Sequence, residues 1–307
     1  MASVLTDAID SAIIVRMTEN NMNDGITLIA GDIHVHPDFL DRISRAADAI
    51  SADRIVMLGD YMDYWNANTS QRVGMAAALK DWQDDESRHV DILLGNHDVP
   101  YYAGTNDRLF KGFIVHRATG MDPLALNDVH AIYSRMRMPI ATTVMNPATG
   151  DEYLCSHAGI TCGWMLKHLG ITEDADGDGN AVNARVIADR LNDMQSHGGW
   201  RELYACGIMR NGHDGHPSPL WADLKELEYD PVHGLNQIVG HTPVDTIHID
   251  MTASYRLVFC DTMSFMSNDM PIGDGSLLAV GTDVRSSDGS FAVRHMAPGL
   301  HVIALRA

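Results

Sequence analysis

Three short apolar runs, each stopping at a cluster of Gly, Asp, Asn and His, constrain this 307-residue chain more than any other feature. Residues 26–30 (ITLIA) lead into GDIHVH, residues 54–58 (RIVML) into GDYMD, and residues 90–94 (VDILL) into GNHD. The runs are rich in β-branched and aliphatic residues, the pattern of strands buried on both faces. Between them, residues 38–52 and 69–88 have helical composition and spacing, so the order is β-α-β-α-β. That order requires a parallel sheet, and a parallel sheet gathers the loops at its strands' carboxyl ends along one edge. All three polar clusters should therefore meet there.

Further along, residues 138–145 (MPIATTVM) and 152–160 (EYLCSHAGI) flank NPATGD and predict a hairpin whose second strand also ends in a polar cluster. Residues 1–25 read as an amphipathic helical extension closed by a polar stop. From about 161 to 235 the pattern changes to helical segments, an acidic loop and scattered Gly, His and Pro, which we read as an insertion or cap over the strand-end edge. Strands return at 236–240. The runs at 256–262, 276–282, 290–296 and 300–307 then read as a β-rich C-terminal sheet packing on the first. Residues 1–307 are expected to form a single α/β domain.

The 22 Lys and Arg residues stand against 41 Asp and Glu, a formal net charge of −19, which excludes broad attraction to nucleic-acid phosphates or anionic lipid. No apolar run reaches membrane-spanning length, and Asp7 and Asp10 stand where a signal peptide carries basic and apolar residues. The four cysteines form no CxxC pair and read as reduced thiols. These features predict a cytoplasmic protein with neither nucleic acid nor membrane as partner.

In chain order the polar clusters are Asp32-x-His34, Gly59-Asp60-x-x-Asp63, Gly95-Asn96-His97-Asp98, Ser156-His157-Ala158-Gly159 and Gly240-His241-Thr242. Any one alone is weak, since a strand-end Asp is often only a helix cap. Five in this order resemble the calcineurin-like metallophosphoesterases, a family marked by DxH, GDxxD, GNH(D/E) and two later His motifs. The GHTP at 240–243 and the HAG at 157–159 are most similar to the branch of serine/threonine protein phosphatases and diadenosine tetraphosphatases. The resemblance implies a four-layer α/β/β/α sandwich of two mixed sheets, with a helical insertion near the active site and two divalent metal ions at one edge, manganese first and iron or zinc as alternatives.

By that resemblance Asp32 and His34 bind the first metal, Asp60 bridges, and Asn96, His157 and His241 bind the second. A cation pair about 3.5–4 Å apart acidifies a shared water and stabilises in-line displacement at phosphorus. The implied reaction is hydrolysis of phosphomonoesters by direct attack of a metal-bridging hydroxide. His97 is the implied general acid, with Asp98 fixing its tautomer, and Asn96 also contacts substrate.

Two departures matter. The branch continues its second motif as DRG, with an Arg on phosphate, whereas this chain has Tyr64 and Trp65 after Asp63; Arg210 is the substitute candidate. The last motif lacks a second His, and His213, His216 and His248 are alternative ligands, though isolated histidines are usually structural. The acidic loop at 174–185 imitates the start of an EF-hand but has Arg185 where a bidentate Glu is needed. The expected substrate is a small or single-phosphate ester, phosphoproteins included. Rival readings are a dinucleoside polyphosphate hydrolase or phosphodiesterase and, from another class, a non-catalytic metal-binding scaffold.

Overall fold

The computed structural model describes residues 25–104, 120–172 and 182–306. The N-terminal extension and most of the EF-hand-like loop lie outside these residues.

The first sheet has the order β10-β11-β9-β1-β2-β3. Its parallel half is β1 (Thr27–Ala30), β2 (Arg54–Met57) and β3 (His89–Ile92), connected by α1 (Pro37–Ile50) and α2 (Thr69–Asp84). In β1 and β2 alternate side chains serve two cores. Leu28, Ala30, Ile55 and Met57 pack with helical residues such as Ile43, Ala47 and Leu79, while Ile29 and Val56 face the second sheet. This double burial is why the runs are apolar at nearly every position. Gln71 and Asn68 form a reciprocal capping box that starts α2.

The second sheet has the order β4-β5-β6-β8-β7. The hairpin is β4 (Ala141–Met145) and β5 (Glu152–Ser156), followed in the sheet by β6 (Asn236–Val239), β8 (Arg256–Phe259) and β7 (His248–Met251). Both sheets are mixed, and between them Ile29, Val56, Leu58 and Leu93 pack with Tyr153, Cys155, Ile238 and Val258. This buried apolar layer makes the sheet pair the frame of the molecule.

The C-terminal strands do not form a sheet of their own. β8 joins the second sheet parallel to β6, while β9 (Leu277–Val280), β10 (Phe291–Ala297) and β11 (Leu300–Leu305) extend the first sheet through an antiparallel β9-β1 pairing. The apolar pattern of each strand was readable; its partner depended on contacts distant in sequence. β7 is half exposed along its length, so it lacked the apolar run that marks the others.

Between β3 and β4 lie α3 (Val99–Ala103) and α4 (Leu126–Tyr133), and between β5 and β6 lie α5 (Cys162–Leu169), α6 (Ala184–Ser196), α7 (Trp200–Leu203), a short 3-10 turn at Ile208–Arg210 and α8 (Leu224–Tyr229). The buried faces of α5, α6 and α7 join the same core as α1 and α2 through Trp164, Ile187, Leu191 and Leu203. Among the described residues no helix is long and apolar enough to cross a membrane.

Candidate metal and catalytic site

Asp32, Asp60, Asn96, His157 and His241 each follow the carboxyl end of a strand, and all five are buried. The loops carrying them are bolted together by main chain. His241 N–H donates to Asp32 Oδ1 at 3.0 Å, joining the first motif to the last, and His97 N–H donates to Asp60 Oδ1 at 2.8 Å. The glycines are there because neighbours leave no room. A Cβ on Gly95 would lie 2.2 Å from Asp60 Oδ1, and one on Gly240 would lie 2.4 Å from Asp32 Oδ1. His34, Asp60, Asp63 and His241 hold left-handed backbone with φ of 38°, 55°, 68° and 65°. Such conformations cost non-glycine residues about 1 kcal/mol or more and collect at functional sites.

Two donor groups share Asp60: Asp32, His34 and Asp60, and Asp60, His157 and His241, with ligand atoms within 4.8 Å of one another in each. The imidazoles are already turned. His34 Nδ1 faces the Met62 carbonyl at 3.1 Å and His157 Nδ1 the Leu58 carbonyl at 3.0 Å, which leaves both Nε2 atoms as acceptors in the neutral rings. Around His157 Nε2 stand Asn96 Oδ1 at 2.8 Å, His241 Nδ1 at 3.0 Å and Asp60 Oδ2 at 3.4 Å. His241 Nε2 is buried without a partner. Lone pairs converging with so few protons are what a divalent cation satisfies, and mixed carboxylate and imidazole donors suit manganese, iron or zinc. The residues fit the implied metals.

The electrostatics agree. Burial, then Asp261 and Asp60, push Asp32 well above the usual carboxylate range, and burial lowers His34 and, helped by His157, His241. Burial opposes ionisation of Asp60 too, but His157 and His97 hold it well below the ordinary value. Crowded carboxylates of this kind are stabilised by bound cations.

The structure corrects one assignment. Asp98 does not touch the His97 ring; its carboxylate accepts from Asp60 N at 2.7 Å, Gly95 N at 3.0 Å, Tyr61 N at 3.1 Å and the Tyr133 hydroxyl at 3.2 Å. Asp98 lies at the start of a short helix, α3 (Val99–Ala103), and its carboxylate is taken up by the amides of the Asp60–Tyr61 turn, by Gly95 of its own loop and by Tyr133. The partner of His97 is Asp63, with Oδ2 at 3.2 Å from Nδ1. Asp63 in turn accepts from the Tyr101 hydroxyl at 2.7 Å and forms an ion pair with buried Arg72 at 3.7 Å. Burial alone would lower His97, but Asp60, the Asp63 hydrogen bond and Asp98 raise it to about 9.

Arg210 lines the same cavity of about 250 Å³, the one Lys or Arg to do so among the described residues. Its Nη2 donates to Thr242 Oγ1 at 2.9 Å and to the His241 carbonyl at 3.3 Å, and its Nε lies 3.0 Å from Asp223 Oδ2. His213, His216 and His248 join neither donor group. Two further residues had no assigned role. Asp63 was visible as the last letter of GDxxD; Asp261 follows a plain strand and carried no signal. The latter lines the cavity with Oδ1 buried and unpartnered, and burial raises it to about 7.

A two-sheet α/β frame with paired donor groups sharing one carboxylate defines a metal-dependent phosphoric ester hydrolase. The family model for calcineurin-like phosphoesterases matches residues 27–245, and the chain belongs to that family. No curated protein matches it. Among solved structures it is similar to TT1561 of Thermus thermophilus, at 11% identity over 84% of this chain and 94% of that one, with a TM-score of 0.36.

Proposed function

We propose that the chain hydrolyses phosphomonoesters at a dinuclear centre, with manganese as the first candidate ion. Asp32, His34 and Asp60 would hold one ion, and Asp60, Asn96, His157 and His241 the other. Bound there, the pair supplies an acidified water as nucleophile and positive charge for the phosphoryl oxygens.

The observation that carries the reading is the His97–Asp63 pair beside the shared carboxylate. Asp63 stabilises a proton on Nδ1, which favours the imidazolium and leaves the Nε2 proton for the leaving oxygen. Tyr101 and Arg72 fix Asp63, so the ring is oriented before substrate arrives. Arg210, tethered to Thr242 and Asp223, supplies a cation where the rest of the acidic chain would repel phosphate. A scaffold that only stored metal would have no use for an oriented acid beside its ligands.

Activity of the manganese-loaded protein on p-nitrophenyl phosphate, with little on bis-p-nitrophenyl phosphate or a dinucleoside polyphosphate, is the expected result. The reverse order would replace the monoesterase by one of those rivals, and no turnover on any of the three would favour the scaffold.

A further inference from the structure

The cavity also has side chains that the phosphate chemistry does not use. Tyr64, Trp65, Phe265 and Ile272 line it together with the donors. Tyr64 is spent on structure: its hydroxyl donates to Asp269, which also accepts from Asn66 at 2.7 Å, and its ring packs on His36 with centroids 4.5 Å apart. Phe265 is fixed as well, stacked on His36 at 4.5 Å with the planes inclined by 27°. Trp65 differs. It is 64% exposed although it lines the cavity, and its loop is pinned from below by buried Arg72, which donates to the carbonyls of Tyr64 and Ala67. A rigid loop thus presents a large indole that contributes little to the core.

We propose that Trp65 and Phe265 form an aromatic clamp that selects phosphomonoesters whose leaving group is a planar aryl ring. This deepens the phosphomonoesterase reading and rests on it. A phosphoryl group held at the donor groups and Arg210 leaves its ester oxygen facing His97, and His97, Tyr64 and Trp65 line the same cavity. A ring on that oxygen would share the cavity with the Trp65 and Phe265 rings, and aromatic pairs favour offset or edge contacts. A short alkyl or carboxylate-bearing leaving group finds no such partner, and a carboxylate is further disfavoured by the acidic surroundings.

The test compares Trp65→Ala, Phe265→Ala and Trp65→Phe with the native manganese-loaded enzyme. Dividing each variant's kcat/KM by the native value on the same ester cancels the intrinsic reactivity of aryl phosphates. For p-nitrophenyl phosphate and phosphotyrosine, the Trp65→Ala ratio should fall about tenfold further than for glycerol 2-phosphate and phosphoserine, and Trp65→Phe should recover most of the difference. An equal fall on all four esters, or none, overturns the clamp. If p-nitrophenyl phosphate responds and phosphotyrosine does not, the clamp holds for small aryl esters and not for the amino acid.

Binding gives a readout free of turnover. By calorimetry the native holoenzyme should bind phenylphosphonate more tightly than methylphosphonate, and Trp65→Ala should abolish the preference; a preference absent from the native protein, or kept by the variant, overturns the proposal. Failure to hydrolyse any ester would sink the phosphomonoesterase reading, while the phosphonate comparison would still decide the clamp.

Discussion

Replacing Asp63 by Asn separates the roles of the two acidic residues near His97. The Tyr101 hydroxyl accepts from Asp122 N–H at 2.9 Å, so its own proton is committed to Asp63 Oδ1 at 2.7 Å. An Asn at 63 must keep its oxygen toward Tyr101 and turn its NH₂ toward His97 Nδ1. That nitrogen then has to accept, and the imidazolium loses its support. A hydrogen bond to a charged group contributes about 1.5–3 kcal/mol, which predicts a fall in kcat of about 10- to 150-fold on an ester with a poor leaving group. The pH profile should move too. The active form of His97 is protonated, so activity is lost as pH rises through its pKa, and the Asp63 contact helps to place that pKa at about 9. Without the contact the alkaline limb should shift to lower pH. Steady-state kinetics on glycerol 2-phosphate across pH, with bound metal measured by elemental analysis, checks both effects. An unchanged alkaline limb and a kcat within twofold of native, at unchanged metal content, would refute the role given to Asp63. Asp98→Asn should act differently, lowering thermal stability and metal content through the Asp60, Tyr61 and Gly95 amides it holds.

Further outcomes follow from the same geometry. His97→Ala should cost about 10²–10⁴-fold on glycerol 2-phosphate and much less on p-nitrophenyl phosphate, whose leaving group needs little protonation; equal losses would remove the acid role. Arg210→Ala should raise KM for a monoester about tenfold or more, by loss of charge-assisted contacts, and an unchanged KM would make Arg210 a structural tether to Asp223 and Thr242. Burial raises Asp261 to about 7 and, with Asp60, Asp98 to about 8, so without metal the folded chain retains protons that the unfolded chain releases near pH 4. That stability is present at low pH and is lost as pH rises toward 8. Bound cations favour the ionised carboxylates, so the gain in Tm on adding Mn²⁺ should be larger at about pH 8 than at about pH 6.5, and equal gains would contradict the coupling.

The sequence was legible where chemistry and local pattern coincide. The β-α-β-α-β order predicted a parallel edge from the apolar runs alone, and the polar residues ending those runs do converge, because strand direction dictates where loops gather. Sheet membership of the late strands was illegible, since β8 and β9 have the same apolar character and only distant pairing sends them to different sheets. The partner of His97 illustrates a finer limit. The resemblance assigned Asp98, the next residue, but that carboxylate is engaged by the Asp60 and Tyr61 amides, while the turn at Asp63, with φ of 68°, brings a residue 34 positions away into contact with the ring. Tyr64 and Trp65 stand side by side in the sequence, and nothing local tells their roles apart; that Tyr64 is held by Asp269 while Trp65 stays exposed in the cavity wall depends on how Arg72 and Asp269 pin the loop.

Metal stoichiometry tests the central claim most directly. Elemental analysis of the manganese-loaded chain should find two ions per molecule, and Asp60→Asn, which removes charge from the one residue shared by both donor groups, should lower that number and abolish hydrolysis of p-nitrophenyl phosphate. Two ions retained by the variant, or a native protein that hydrolyses phosphoesters at full rate with none bound, would contradict the account.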